Sequence, residues 1–215
     1  MALDSDSNFR SCLDARVDGL PLSPIQKRAH ATLLIQAGAD TTGTGLGATL
    51  RFLAMNPEQK ERAFQEIKAA DEKGWLSNPI KYEECREHLP FFSACIKEAL
   101  RLNPPATNLF ARVVGKEGKI IEGHFIPSGT EITSNAYVVQ RDPKLYAPDP
   151  DSFRPQRWLE SKEKASKMEA ASFVFGIGSR ICLGKDIALI ELYKLLPEVI
   201  STVVSKTLCH LCANV

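Results

Sequence analysis

Residues 175–184 read Phe175-Gly176-Ile177-Gly178-Ser179-Arg180-Ile181-Cys182-Leu183-Gly184 and are the most informative part of this 215-residue sequence. The glycines allow a large planar ligand to come close to the backbone. Cys182 lies just before a predicted helix, and the N–H dipoles at a helix N-terminus stabilise a thiolate. Arg180 adds a permanent cation that suits a carboxylate. A lone cysteine in such a loop is often a buried structural residue, but the complete pattern favours a ligand-binding thiolate.

The composition indicates an ordinary globular protein. The chain has 27 Lys and Arg against 26 Asp and Glu, a formal net charge of +1, so it lacks the basic surplus typical of nucleic-acid binding. With 44% hydrophobic and 25% charged residues, it has too many apolar side chains for a disordered chain. Its length suits one domain or a piece of a larger one. The six cysteines are too sparse for a disulfide scaffold, so we expect them to be reduced.

Hydrophobic periodicity predicts a mainly α fold with small β-hairpin sheets. Apolar residues at helical spacing predict helices over residues 24–55, 57–70, 82–86, 90–102 and 185–204. Short β-type runs alternate with glycine and proline turns over residues 109–139, which predicts hairpins at the edge of a helical body. Residues 141–171 are rich in proline and charge, and we expect an irregular connection there.

The middle of the first long helix has an unusual composition. Residues 37–47 read AGADTTGTGLG, and each glycine in a helix costs about 1 kcal/mol relative to alanine. This cost suggests close approach to a flat or bulky group, although a groove for packing another helix is the alternative. A mid-helix threonine such as Thr41 can bond the carbonyl one turn back, and local widening of such a helix often marks a working site. Residues 43–48 also fit the dinucleotide fingerprint G-x-G-x-x-A, which requires a preceding strand.

The loop at residues 175–184 resembles the F-x-x-G-x-R-x-C-x-G heme-binding loop of the cytochrome P450 heme-thiolate monooxygenases. The resemblance implies the C-terminal, heme-binding half of that fold, with heme b as the cofactor. It implies Cys182 as the axial ligand of the heme iron and Arg180 near a heme propionate. It also implies that Phe175 packs beside the sulfur.

Two further segments extend the resemblance toward the heme pocket. Residues 37–42, Ala-Gly-Ala-Asp-Thr-Thr, resemble the A-G-x-D-T-T of the family's distal helix. By this resemblance, Asp40 and Thr41 are catalytic and guide protons and water to iron-bound oxygen. Arg112 follows the turn at Pro104 and Pro105, where family members often have a second cation that binds a propionate.

The segment Glu98-Ala99-Leu100-Arg101 resembles the family's E-x-x-R. Residues three apart lie on one face of a helix, so Glu98 and Arg101 can form an ion pair. The resemblance implies a third member, Arg157, from the later F-x-P-E-R-W motif, which here reads FRPQRW over residues 153–158. Gln156 replaces the usual glutamate, which puts the stability of this network in question. The three residues are expected to support the pocket rather than react.

On this basis the chain is interpreted as a single partial cytochrome P450 domain over residues 1–215. Its expected parts are a lead-in (1–19), the distal oxygen-activation helix (20–55), the E-x-x-R helix (90–102), the hairpins (109–139), the heme-thiolate loop (175–184), the last helix (185–204) and a divergent tail (205–215).

The resemblance implies an oxidoreductase that inserts one atom of dioxygen into a small, hydrophobic organic substrate. The motifs look most like fungal microsomal members of secondary metabolism, which implies NADPH as electron source, a partner reductase and the endoplasmic reticulum membrane. The sequence has no signal peptide or anchor, so we expect this chain to be soluble and to reach a membrane only through an absent N-terminal part. The alternatives are a truncated, non-catalytic remnant of such an enzyme and, more remotely, a dinucleotide-binding protein.

Overall fold

A computed structural model describes residues 16–107 and 110–212, with side chains described as far as residue 202. Most of the expected lead-in, the first residue of the expected hairpin region and the end of the tail lie outside the described residues. None of the helices in the described ranges has the length and apolarity needed to cross a bilayer.

The chain divides into two compact units, Met1–Thr41 and Thr42–Val215. In the first unit, strands β1 (Arg16–Val17) and β2 (Leu20–Pro21) form an antiparallel hairpin, and helix α1 (Pro24–Met55) begins. Ser23 and Gln26 form a capping box at this start. The Gln26 amide donates to the Ser23 hydroxyl at 3.3 Å, and the Ser23 amide donates to the Gln26 side chain at 2.8 Å. The long helix has the bounds 24–55 that the periodicity predicts. The expectation that the distal helix begins at residue 20 is wrong, because Leu20–Pro21 form β2.

The second unit is mainly helical with small antiparallel sheets, the fold class that the sequence predicts. Its further helices are α2 (Pro57–Glu72), α3 (Tyr82–His88), α4 (Pro90–Leu102), α5 (Ala136–Val139), α6 (Pro143–Tyr146), α7 (Lys162–Ala170) and α8 (Lys185–Cys212). Strands β3 (Arg112–Val113) and β6 (Glu131–Ile132) pair with each other, as do β4 (Lys119–Ile121) and β5 (His124–Ile126). Single 3-10 turns cover Pro155–Trp158 and Gly178–Arg180.

The main hydrophobic core of this unit lies between α2, α3, α4 and α8. The apolar faces of these helices meet there in one buried cluster, together with the end of α1. Its largest members include Leu53, Phe64, Ile67, Phe92, Ile96, Leu192 and Leu196. Helix α4 is therefore buried along most of its length, and its polar residues need partners inside the protein.

A carboxylate from α2 caps the start of α4. Pro90 occupies the first position of α4, where its missing N–H costs nothing. The next two amides, of Phe91 and Phe92, donate to the two carboxylate oxygens of Glu66 at 2.9 and 2.8 Å. Burial raises the pKa of Glu66, while these two backbone bonds oppose the shift. The cap joins α2 to α4 at a point where α4 would otherwise bury unpaired donors.

Gly45 explains part of the unusual composition of α1. A Cβ at this position would lie 3.1 Å from Cδ2 of Leu100 on α4 and 3.4 Å from Cδ2 of Leu192 on α8. Nothing lies within 4 Å of the corresponding positions at Gly43 and Gly47. Close helix packing therefore accounts for Gly45, and the other two glycines have no such neighbour.

Three further expectations for local structure were wrong. Residues 136–139 form helix α5 instead of continuing a β-type run, because Asn135 accepts a hydrogen bond from the amide of Tyr137 and caps a helical turn. The connection 141–171 contains α6, a 3-10 turn and α7, each beginning with a cap or an early proline. Helix α8 continues to Cys212, eight residues beyond the end expected at residue 204.

Glu98 is the centre of a buried polar cluster beside this core. Its Oε1 accepts hydrogen bonds from Arg101 and Arg157, both at 2.8 Å, and its Oε2 accepts from Arg101 at 2.8 Å and from the indole of Trp158 at 2.9 Å. The backbone amide of Arg154 also donates to Oε1, at 3.0 Å. The side chains of Glu98 and Arg157 are wholly buried, and that of Arg101 is 2% exposed.

The two arginines use their remaining N–H groups to fix an irregular part of the chain. Arg101 donates to the carbonyls of Gln140, Pro150 and Ser152. Arg157 donates to the carbonyls of Tyr146, Pro148, Asp149 and Ser152. A segment without regular structure thus acquires a defined path because buried guanidinium groups satisfy its carbonyls.

We predict that Glu98→Gln lowers the free energy of unfolding by about 3–5 kcal/mol, because it leaves two buried guanidinium groups without a counter-charge. Urea unfolding followed by circular dichroism measures the change. The control is Glu169→Gln, which removes the half-exposed partner of Lys97 and is expected to cost under about 1 kcal/mol. Equal losses in the two variants would contradict the prediction.

We also predict that Gly45→Val destabilises the protein by about 1–3 kcal/mol, since the new methyl groups overfill the space beside Leu100 and Leu192. Gly47→Val is the matched control on the same helix and is expected to be nearly neutral. Thermal unfolding of both variants provides the comparison. If the substitution at Gly47 is as costly as that at Gly45, helix packing does not explain the glycine.

Candidate functional site

The cysteine loop, residues 175–184, is closed by its own backbone hydrogen bonds. The amide of Cys182 donates to the carbonyl of Phe175 at 2.8 Å, and the amide of Ile181 donates to that of Gly178 at 3.1 Å. Helix α8 begins at Lys185, just after the cysteine. The backbone on both sides of the thiol is therefore fixed, and the thiol lies at the N-terminal end of a long helix.

Two glycines give this loop its shape. Gly176 and Gly178 have φ angles of +71° and +74°, in the left-handed region that residues with a Cβ rarely adopt. A Cβ at Gly184 would lie 3.9 Å from the sulfur of Cys182, an ordinary contact. The first two glycines are thus required by the backbone.

The cysteine loop exposes large apolar side chains around an exposed thiol. Cys182 is exposed, and the next residue, Leu183, is 100% exposed. Ile177 and Ile181 of the loop and Ile187 at the start of α8 are exposed as well. Because one short segment presents several large apolar residues, we regard it as a candidate ligand-binding surface.

The other cysteines with described side chains have a different environment. Cys85 and Cys95 lie in the hydrophobic core, where burial raises the pKa of Cys85 to about 12 and also raises the pKa of Cys95. Both are therefore neutral thiols at physiological pH. Among the described residues, no three His, Cys, Asp or Glu side chains gather where they could hold a metal ion. Cys182 is thus the exposed thiol among the three cysteines with described side chains.

Asp40 and Thr41 lie on α1 at exposed positions. The hydroxyl of Thr41 donates to the carbonyl of Ala37, one turn back, at 2.7 Å, which is the bond that the sequence suggests for a mid-helix threonine. From Pro24 to Met55 the helix is α-helical throughout, so this described segment does not show the local widening considered above.

The structure of α1 also tests whether the G-x-G-x-x-A pattern is a dinucleotide fingerprint. Gly43, Gly45 and Gly47 all lie inside α1, and the residues before Gly43 are helical. A dinucleotide fingerprint requires a strand that ends at the first glycine. The dinucleotide-binding alternative is therefore wrong.

Arg112 and Arg180, the two expected propionate-binding cations, are both exposed. Arg180 ends the 3-10 turn in the cysteine loop, and Arg112 begins β3. Nη1 of Arg112 donates to the carbonyls of Phe110 and Ala111, both at 3.1 Å. Neither arginine forms an ion pair with the described residues. Phe175 is half-buried at the start of the cysteine loop.

The structure brings together Glu98, Arg101 and Arg157. In the sequence, Glu98 and Arg157 are 59 residues apart. Sequence reasoning missed Trp158 as a fourth side chain of the cluster. The sequence does offer a sign of this contact, because Trp158 directly follows the motif residue Arg157. A buried tryptophan there needs an acceptor for its indole N–H. Gln156 donates to the side chain of Gln59 on α2 at 2.7 Å, and no hydrogen bond joins it to Glu98.

Comparison with known proteins gives consistent matches along the chain. The family model described as "Cytochrome P450" matches residues 4–204. A cytochrome P450 monooxygenase of Emericella nidulans is 42% identical over 166 residues, which is 77% of this chain and 33% of the relative. Pisatin demethylase of Fusarium vanettenii is 35% identical over 199 residues, 93% of this chain and 37% of the relative.

Solved cytochrome P450 structures also match most of this chain. A retinoic-acid-bound cyanobacterial cytochrome P450 superposes with a TM-score of 0.75 and 27% identity, covering 89% of this chain and 42% of that one. A zebrafish cytochrome P450 solved with progesterone superposes with a TM-score of 0.68 and 28% identity, covering 87% and 40%.

These matches extend over most of this chain, while the chain spans about a third to a half of the length of its curated relatives. The family model covers both the long helix α1 and the cysteine loop, the two segments that carry the sequence motifs. The chain belongs to the cytochrome P450 family.

Proposed function

We propose that this chain forms the heme-thiolate part of a monooxygenase, with Cys182 as the axial ligand of the iron. The observation that carries the proposal is the exposed thiol in a loop closed by the Cys182–Phe175 backbone bond, at the start of α8. Backbone N–H groups at a helix start favour the thiolate form of a cysteine.

The residues present fit a porphyrin better than a bare metal ion. A porphyrin brings four nitrogen ligands of its own, so the protein needs to add only one strong donor, and the cysteine loop offers one. The exposed apolar side chains of Leu183, Ile177 and Ile181 suit an apolar macrocycle. Iron bound to a porphyrin and a cysteine thiolate supplies the electron density that favours O–O cleavage.

The charged and aromatic residues of the proposed site have three different roles: binding the propionates, packing beside the sulfur and supporting the pocket. Arg180 and Arg112, exposed and outside the ion pairs of the described chain, would bind the propionates by charge-assisted hydrogen bonds. Phe175 would pack beside the sulfur and limit the access of water to it. Glu98, Arg101 and Arg157 would support the pocket through the buried cluster and make no contact with the reacting atoms.

Asp40 and Thr41 are the proposed proton-handling residues. The hydroxyl hydrogen of Thr41 is directed to the Ala37 carbonyl, which leaves the oxygen lone pairs as acceptors for a water molecule. The neighbouring carboxylate of Asp40 can accept or release a proton. Together they would hold an ordered water on α1 and deliver protons from solvent.

The proposed reaction is the insertion of one atom of dioxygen into a small, hydrophobic organic substrate in fungal secondary metabolism. Electrons would come from NADPH through a partner reductase, and the enzyme would act at the endoplasmic reticulum membrane. The fungal relatives, among them a protein named for the demethylation of pisatin, support this proposal.

We predict that the purified chain, supplied with hemin, reduced and exposed to carbon monoxide, gives the red-shifted Soret band of a thiolate-ligated carbonyl complex. Cys182→Ser should abolish this band, because a serine oxygen replaces the thiolate with little change of volume. Ser179→Ala, an equally small change in the same loop, should leave the band intact.

A thiolate band that survives in Cys182→Ser would show that the ligand assignment is wrong. Absence of the band from a folded, unmodified chain would favour the non-catalytic alternative over the proposed activity.

A further inference from the structure

Gln140 is a buried polar residue that the cytochrome P450 motifs leave unexplained. It directly follows helix α5 and is 0% exposed. A buried amide without hydrogen-bond partners would cost about 1–3 kcal/mol, so its partners indicate what it does.

The nitrogen of its side chain binds the end of helix α4. Nε2 donates to the carbonyl of Arg101 at 3.0 Å and more weakly to that of Leu100 at 3.5 Å. These carbonyls belong to the last turn of α4, where intrahelical donors run out. The guanidinium of Arg101 returns a bond to the Gln140 carbonyl at 2.7 Å. Gln140 is therefore joined in both directions to an arginine of the Glu98 cluster.

The oxygen of the same side chain binds the entry to the cysteine loop. Oε1 accepts a hydrogen bond from the amide of Phe173 at 3.0 Å and a longer one from the hydroxyl of Ser172 at 3.4 Å. The carbonyl of Phe173 in turn accepts from the amide of Gly176 at 3.2 Å, at the first left-handed glycine of the loop. The cysteine loop thus begins from a backbone position that Gln140 holds.

These partners fix the orientation of the amide. Rotation by 180° would direct NH₂ at the N–H of Phe173 and the oxygen at two carbonyls, so one orientation alone satisfies all four groups. Methionine could supply neither bond, and glutamate could supply only the acceptor. A side chain with a donor and an acceptor at its tip is required to join α4 to residue 173.

We propose that Gln140 is a positioning residue for Cys182, which fixes the start of the cysteine loop to the C-terminal turn of α4. It touches neither the thiol nor any ligand and acts through the backbone of Phe173. The proposal rests on the proposed function for what the loop holds, but its main test requires no heme.

The test is hydrogen–deuterium exchange on the full chain, resolved at the amides of Phe173, Gly176 and Cys182. The variants are Gln140→Met, which removes both bonds at similar volume, and Gln140→Glu, which keeps the acceptor and loses the donor to α4. The control is Gln59→Met on α2. It is the same substitution and also removes an amide side chain that forms a hydrogen bond between elements, here accepted from Gln156 at 2.7 Å.

Each Gln140 variant breaks the connection between α4 and residue 173, so each should speed exchange at the three loop amides by about tenfold or more, the effect expected for losing a buried hydrogen bond. With either Gln140 variant, amides in α2 and α3 should exchange at the rate of the unmodified chain, and Gln59→Met should leave the loop amides unchanged. Unchanged loop exchange in both Gln140 variants, or equal acceleration across α2 and α3, would overturn the proposal.

A measurement on the unmodified chain covers the case in which the variants do not fold. In exchange as a function of urea, the amide of Phe173 should open with the same free energy as the last turn of α4, because one side chain joins them. Opening of Phe173 at clearly lower free energy would overturn the proposal.

The spectrum with hemin and carbon monoxide separates this proposal from the proposed function. With Gln140→Met, a smaller share of the bound heme should show the thiolate band than with the unmodified chain. If the unmodified chain and Cys182→Ser give the same spectrum, the proposed function fails, and the exchange data still decide the role of Gln140.

Discussion

The carboxylate of Glu98 is the interaction on which the rest of the larger unit depends. It accepts five hydrogen bonds at a site where its side chain is wholly buried. Two of its donors are the guanidinium groups of Arg101 and Arg157, which make seven further bonds to backbone carbonyls. Because a buried charge without its partner is very costly, this cluster permits essentially one arrangement of α4 and the 3-10 turn at Pro155–Trp158. The path of the irregular chain at residues 147–152 follows from this arrangement.

The same cluster gives the exposed cysteine loop a rigid base. The proposed ligation of iron needs a defined position of the Cys182 thiol, since small displacements weaken a metal–ligand bond. The loop here has its own closing bond, Cys182 to Phe175, and two required left-handed glycines. Through Gln140 its entry is also joined to the end of α4. An exposed thiol in a loop whose entry is joined by hydrogen bonds to buried residues is the arrangement that preorganised sites require.

In helix α1, the glycines have two opposite effects: they weaken the helix itself, and at one position they allow close packing. Its glycines weaken the helix, yet at Gly45 the missing side chain lets Leu100 and Leu192 come into contact with the backbone. The helix recovers stability from burial of Ala48, Thr49 and Leu53 against its neighbours. A pattern that resembles a nucleotide fingerprint is therefore explained in part by the volume of two leucines.

The family, the fold class and the bounds of α1 and α4 follow from the sequence, because these depend on periodicity and on motifs a few residues long; the same motifs single out Cys182 as the candidate ligand. The sequence did not reveal α5 to α7, whose short turns depend on single capping residues. The contact of Glu98 with Arg157, the bond from Trp158 and the partners of Gln140 are visible only in the tertiary structure. Hydrogen bonds between residues 30 to 60 positions apart form only when packing brings a donor to a carbonyl or carboxylate that has been removed from water.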